Sequence, residues 1–254
     1  MISSADIYLL GSGVLSFLDI TLYTQKILRQ CKTVFFLHDM PTLERFLKEI
    51  TPNPVNLMPI YYVDGRNRSD IYQDIARHVI EGAEKEKPIA LLMHGHPLVY
   101  SSISRLILTQ CRDRGIGVEV VPAVSSLDRM FIDLGLDIAE RGLQVLSAAM
   151  AVHEGIVLNP KVGCIFFQIA HATSPLAMRL CETPPEDVTP FKEYLLDFYP
   201  PEHVVYIVES AVELGFESRI TPLELERLEK AAPAMNYTAS LFVPAVMQRQ
   251  MPTG

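Results

Sequence analysis

The stretch PIALLMHGHPLVYSS, residues 88–102, decides the fold. Its first half, PIALLM (88–93), is a short apolar run without alternation, the pattern of a strand buried on both faces. Gly95 and Pro97 then set a turn, and a helical pattern runs on to about residue 112. Working outward, DIYLL (6–10), TVFFL (33–37) and GVEVV (117–121) repeat the same strand pattern. Helical stretches lie between them. DITLYTQKILRQ spaces Ile20, Tyr23 and Ile27 helically, PTLERFLKEI carries Pro41 in its first turn, and another helix covers about 69–85. Unalternating strands separated by helices predict a mainly parallel sheet covered on both faces, an α/β fold.

Beyond PAVSS (122–126) the character changes. LQVLSA, VGCIFFQIA, HVVYIVES, SRITPLEL and TASLFVP predict strands with more irregular links, including the proline-rich CETPPEDVTP (181–190). A boundary near residue 122 gives two α/β domains, 1–122 and 123–254. The last predicted strand ends near Val243.

Composition narrows the function. With 49% hydrophobic and 20% charged residues the chain reads as a packed globular protein, not a disordered one. A net charge of −8, with no block of Lys or Arg, gives no general pull toward nucleic acid. Cys31, Cys111, Cys164 and Cys181 form no C-x-x-C and read as small buried hydrophobes of a reducing compartment. The apolar start MISSADIYLLGSGVLSF lacks a basic n-region and carries Asp6, so it does not read as a signal peptide. No run approaches the roughly 18–20 apolar residues of a membrane span. A cytoplasmic protein is the expectation.

Several stretches carry candidate chemistry. In LLGSGVLS, Gly11 and Gly13 follow a strand, where backbone can approach a ligand and a following helix favours anions; a tight turn without a ligand is the plainer reading. A dinucleotide fold would place a third glycine where Ser16 stands. In HGHP, His94 and His96 can share one strand face, which admits a metal if His38 or His171 supplies a further ligand. We favour a turn that holds a ligand at the carboxyl end of a parallel strand, and expect no metal. In YYVDGRNRSDIY, Arg68 and Tyr72 are four apart and share a helix face, preceded by Tyr61 and Tyr62. These read either as a solvated helix start with core tyrosines or as a polar cage for developing negative charge. Gln168 lies in an apolar strand and needs a partner if buried. ELERLEK (224–230) reads as an exposed helix face.

Taken in order, YLLGSGVLS, HGHPLVYSS and VEVVPAVSSLD resemble the tetrapyrrole methylase superfamily, with His96 in place of the acid of its G-D-P loop and Ala123 in place of a glycine. The G-H-P form with Arg68-x-x-x-Tyr72 upstream is similar to the borosin branch, which N-methylates peptide backbone amides. DLGLD (133–137), Gln144, FFQIA, YPPEHVVYIVESA and YTASLFVP extend the resemblance along nearly the whole chain.

The resemblance implies two α/β domains with an S-adenosylmethionine cleft between them, S-adenosylhomocysteine as product, and a homodimer. It implies a cofactor held near Gly11, Gly13, Gly95, His96, Pro97, Val99, Tyr100, Ser125, Ser126, Gln168, Thr238 and Ala239. It sets Arg68, Tyr72 and Tyr62 at the substrate amide. His94 stands where the borosin branch has a tyrosine, as a hydrogen-bonding group or a base. An amide nitrogen is a poor nucleophile because its lone pair is delocalised, so its proton must be loosened and charge on oxygen stabilised. A phenol, ordinarily of pKa about 10, is favoured as phenolate beside an arginine. Fungal borosin enzymes carry their substrate as a C-terminal tail; here the expectation is a separate precursor peptide. A small-molecule or tetrapyrrole acceptor is the alternative, and a module that binds cofactor without catalysis is the rival from another class.

Overall fold

The structure, a computed structural model, describes residues 4–177 and 182–246, which fall into two compact units. The first comprises the residues through Met130 together with Ala211–Glu217. Its sheet contains β1 (Ile7–Gly11), β2 (Thr33–Leu37), β3 (Pro54–Asn56), β4 (Ile89–Met93) and β5 (Val118–Val120), in the order β3-β2-β4-β1-β5 and parallel throughout. Every residue of β1, β2 and β4 is buried, as the unalternating runs predict. On one face Tyr8, Leu10, Val34, Phe36, Ala90 and Leu92 join a core with residues of α1 (Leu22–Leu28) and α2 (Pro41–Ile50). On the other, α4 (Arg68–Lys85) lies so close that a methyl on Gly82 would meet the Phe35 ring at 2.8 Å, with Ile89 near by. The short α3 (Met58–Tyr61) precedes α4, and α5 (Ser102–Arg114) follows β4.

Register positions the site. Gly11 and Leu37 both pair with Met93, so β1, β2 and β4 end level with one another. The next residues, Ser12, His38 and His94, therefore emerge side by side at the carboxyl edge. The connections leaving the neighbours β1 and β4 run in opposite directions along the sheet, to β2 and to β5. That is the condition under which open α/β sheets hold ligands.

The second unit comprises Phe131–Ser210 and the residues from Ser218 on. Its sheet runs β6-β7-β10-β8-β9, from β6 (Leu143–Ser147), β7 (Gly163–Phe167), β8 (Val204–Glu209), β9 (Arg219–Glu224) and β10 (Ser240–Val243). Among the described residues of this unit, the β6–β7 pair is parallel and the other pairs are antiparallel. Phe166, Leu241, Val205 and Ile207 pack with α8 (Ala148–Glu154), α9 (Pro185–Leu196) and the 3-10 helix Leu225–Ala234. α6 (Ser126–Leu134) begins in the first unit, and α7 is Ile138–Arg141.

Three expectations need correction. The proline-rich link holds the start of α9: Pro185 occupies a first-turn position, where the missing N–H costs nothing, and Pro190 is carried inside the helix. ELERLEK is not an exposed face, because Leu225 and Leu228 are fully buried in a 3-10 helix. The helix after the first glycine loop is short and begins only at Leu22. Cys31, Cys111 and Cys164 are free and buried, while Cys181 and the His171 side chain lie outside the described residues. No helix among the described residues is long and apolar enough to cross a membrane.

Candidate active site

The two loops leaving β1 and β4 are fastened to each other by backbone. Ser12 N–H donates to Met93 O (2.8 Å), Gly95 N–H donates to Gly13 O (2.8 Å), and Gly13 and Gly95 form an antiparallel bridge. Contact is close enough that Gly11 admits no side chain: a Cβ there would sit 2.1 Å from Gly95 O, 2.6 Å from the Ala123 Cβ and 3.1 Å from the Pro97 ring. Gly11, Gly13, Gly95, Pro97 and Ala123 are thus gathered at one point of the carboxyl edge. Gly95 differs from Gly11. Its φ is +70°, and a Cβ built on it would meet nothing within 4 Å. Its free face is open.

The first loop does not offer an anion site of the expected kind. The amides of Val14 and Leu15 donate to Asp19 Oδ2 (3.0 and 2.8 Å), so a carboxylate of the chain already occupies them. Ser16 keeps the left-handed backbone that a third glycine would suit (φ 49°), but its hydroxyl bonds Thr42 Oγ1 at 2.9 Å.

His94 and His96 do not converge on a common ligand. His96 Nδ1 accepts the Leu98 N–H (3.1 Å), and His96 O accepts the Val99 N–H (3.1 Å). His94 Nδ1 lies 3.0 Å from His38 Nε2, and the rings meet edge-on with centroids 5.0 Å apart. Among the described residues no group of three or more His, Cys, Asp and Glu is arranged to hold a metal. His94 keeps solvent-exposed surface yet is crowded by protein atoms. Loss of water around the ring pushes its pKa from 6.5 down to about 4, with His38 lowering it further and Asp19 opposing. Desolvation likewise takes His38 to about 4. A base poised near neutral pH, one of the two roles open to His94, does not fit this environment.

Tyr100 closes the loop in a left-handed conformation (φ 53°), uncommon for an aromatic residue. Ser101 then caps α5: its Oγ accepts the Ser104 N–H (3.3 Å) and contacts Ser104 Oγ (2.9 Å). Ser125 and Asp128 make a reciprocal cap on α6, Ser125 Oγ accepting Leu127 N–H (3.1 Å) and Asp128 Oδ2 accepting Ser125 N–H (2.6 Å). Much of the polarity of Ser125 is therefore committed to its helix; Ser126 is the first residue of that helix.

At the β3 end, Asn56 donates to His38 O (2.8 Å) and accepts the Met58 N–H (3.0 Å), tying the start of α3 to the histidine pair. Tyr62 follows α3, and its ring stands 6.4 Å from that of Tyr72. Asn67 caps α4 by accepting the Ser69 N–H (2.8 Å), which sets Arg68 in the first turn and one turn before Tyr72. Tyr61, in contrast, bonds His78 Nδ1 through its hydroxyl (2.8 Å). Arg66 and Arg77 both pair with Asp74, and the Arg66 hydrogen bond holds that carboxyl below its ordinary range. Sequence reasoning missed Asp74, and it named His38 only as a further ligand for a metal, not as the partner of His94; its place immediately after β2 was the available signal.

In the second unit, Gln168 directly follows β7 with φ 60°, and the next amide, Ile169 N–H, donates to Ala239 O (3.3 Å). Asn236 Oδ1 accepts both the N–H (2.8 Å) and the hydroxyl (2.7 Å) of Thr238, and Asn236 N–H donates to buried Glu209 (2.9 Å), which also pairs with Arg219. Gln168, Thr238 and Ala239 are thereby gathered at one end of the second sheet.

These features define a two-sheet α/β protein with interlocked glycine loops at the carboxyl edge of its parallel sheet. Residues 6–211 match the Tetrapyrrole (Corrin/Porphyrin) Methylases. The chain belongs to that family. It is 23% identical over 244 residues to a methyltransferase/ribosomally synthesized type II borosin cyclic peptide precursor of Phlebiopsis gigantea, covering 95% of this chain and 43% of that one. It is 28% identical over 159 residues to a type I counterpart of Gymnopilus junonius, covering 63% of this chain and 38% of that one. The chain thus spans less than half the length of these relatives. Uroporphyrin-III C-methyltransferase of Thermus thermophilus, solved with S-adenyl homocysteine, shares the fold: TM-score 0.62, 20% identity, 94% of this chain and 96% of that one.

Proposed function

We propose that this chain is an S-adenosylmethionine-dependent methyltransferase that methylates backbone amide nitrogens of a precursor peptide supplied as a separate molecule. The observation that carries the peptide reading is the match to borosin methyltransferase/precursor proteins through 95% of the chain. The local geometry is compatible: Tyr62 and Tyr72 stand together, with Arg68 one helical turn before Tyr72.

The residues present suit the cofactor. The open face of Gly95 is a cradle that any side chain would fill, and the loop around it offers mainly backbone. Gly11, Gly13, Gly95, His96, Pro97, Val99, Tyr100, Ser125 and Ser126 are its candidate contacts in the first unit. When bound, S-adenosylmethionine supplies an electrophilic methyl group on a sulfonium. Tyr72 or Tyr62 takes the amide proton, and the Arg68 cation stabilises either that phenolate or the amide oxygen. Holding the acceptor nitrogen in line is the remaining task of the loop and of α4. We place the protein in the cytoplasm, in keeping with its free cysteines, and as a homodimer, in keeping with exposed Leu22, Leu214 and Phe216.

The test is native mass spectrometry with S-adenosylmethionine and S-adenosylhomocysteine, followed by incubation with precursor peptides and mapping of methyl groups by tandem mass spectrometry. Arg68→Ala and Tyr72→Phe are expected to bind cofactor normally and to lose methylation by about 10²-fold or more. A protein that binds neither ligand sinks the enzyme reading and favours a partner-binding module. A tetrapyrrole acceptor is the second reading, favoured by likeness to the uroporphyrin enzyme. The net charge of −8 weighs against such polycarboxylate substrates. Transfer to a tetrapyrrole and to no peptide would establish it.

A further inference from the structure

His38 and His94 stand 56 residues apart in sequence and 3.0 Å apart in space, and the sheet register alone makes them neighbours. Their hydrogen bonds determine which nitrogen carries each proton. His38 Nδ1 accepts the Met40 N–H at 3.2 Å, so it cannot hold a proton itself, and the proton of the neutral ring lies on Nε2. That Nε2–H points at His94 Nδ1, which must therefore accept. The remaining proton of His94 then lies on Nε2. Among the described residues that nitrogen has no hydrogen-bond partner, and the side chain retains exposed surface at the carboxyl edge, in the loop that Gly95 continues.

We infer that His38 is a positioning residue that locks His94 as the Nε2–H tautomer, so that His94 meets the methyl acceptor as a hydrogen-bond donor and not as a base. The group it suits is an accepting oxygen next to the methylated atom: an amide or comparable carbonyl whose oxygen gains negative charge as the neighbouring N–H loosens. This deepens the methyl-transfer reading and depends on it only for what the donor acts on. Adding a proton to either ring breaks the chain. On His38 it would expel the Met40 amide, and on His94 it would set two N–H groups against each other. The titratable groups acting on His94 are His38, from the end of β2, and Asp19, from the loop after β1. Crowding of both rings by protein atoms disfavours their charged forms and brings the pKa values down to about 4, which agrees with the geometry.

The test is two-bond ¹H–¹⁵N correlation of the histidine rings in the full-length ¹⁵N-labelled protein, with single His→Gln variants for assignment. From about pH 8 to about pH 5.5 both rings are expected to stay neutral with the proton on Nε2. A His94 ring protonated on Nδ1, or titrating near its ordinary value of about 6.5, overturns the inference. His38→Gln retains a donor at the Nε2 position and is expected to preserve the tautomer. His38→Glu reverses the polarity: its carboxylate accepts from His94 Nδ1, moves the lone pair to Nε2 and brings the titration back toward neutral pH. An unchanged His94 signal in folded His38→Glu also overturns the inference. With a precursor peptide as acceptor, His38→Glu is expected to lower kcat roughly 10²-fold while S-adenosylhomocysteine affinity holds, and His38→Gln to restore it. An unaltered kcat removes the donor role. The spectra need no acceptor, so a wild-type protein that shows the expected tautomer and methylates nothing counts against the methyl-transfer reading and not against the lock.

Discussion

A methyl group on Gly11 would lie 2.1 Å from a backbone oxygen and 2.6 Å from the Ala123 Cβ, neither of which can swing aside. Gly11→Ala is therefore expected to cost about 1–3 kcal/mol of stability, read as a lower urea midpoint at unchanged m-value. Gly95→Ala meets no protein atom within 4 Å; its stability cost comes from φ +70°, about 1–2 kcal/mol. The new methyl would instead fill the open face, and S-adenosylhomocysteine affinity by calorimetry is expected to fall at least about tenfold. If Gly95→Ala binds that ligand like the wild type, the open face is not the cofactor wall. In sequence the two glycines look alike, since each lies at the end of an apolar run. What separates them is a contact between loops more than eighty residues apart. The same holds for His38, whose role depends on β2 and β4 ending level.

Among the elements, the helix caps are the most local devices and the easiest to isolate. Ser125→Ala removes the oxygen that accepts Leu127 N–H and is expected to cost about 1 kcal/mol. Asp128→Ala removes the reciprocal bond to Ser125 N–H. Since the two residues form one unit, the double variant should cost less than the sum of the singles in chemical denaturation. Strict additivity would show the two bonds to be independent. At this scale the sequence was most readable where burial is complete, as in IYLLG, TVFFL and IALLM, because a strand covered on both faces leaves no room for polar alternation. It was least readable where proline misled. Pro190 signals a break, yet α9 continues through it, with Thr189 Oγ1 bonding Pro185 O (3.0 Å) and Phe191 and Leu195 buried in the core. Pro222 sits inside β9, which is tolerated because β9 is the last strand of its sheet.

For the whole molecule, the ionisable groups whose pKa values the fold shifts set how stability follows pH. Burial raises the thiols of Cys31 and Cys164 to about 12 and that of Cys111 to about 11, so these three should resist alkylation at neutral pH until the chain unfolds. Mass mapping after a brief iodoacetamide pulse checks this; labelling of any of the three in the native protein would mean that its surroundings open. The histidine pair has a larger consequence. In the unfolded chain both rings protonate near 6.5, whereas in the folded protein they resist until about 4. Between those values the unfolded state binds more protons, so stability rises with pH. The contribution is complete above about 6.5 and is lost as the pH falls toward 4. Carboxylates held low by their partners, Asp6 by Lys87 and Glu229 by Lys192, act in the same direction from about pH 5 downward, so they overlap only the acid end of this window. Urea midpoints measured from pH 7.5 to 4.5 should therefore decline for the wild type, and the decline should flatten in a His38→Gln/His94→Gln double variant. An equally steep decline in that variant would mean that other groups govern the acid limb, and that the two rings are not held neutral by the fold.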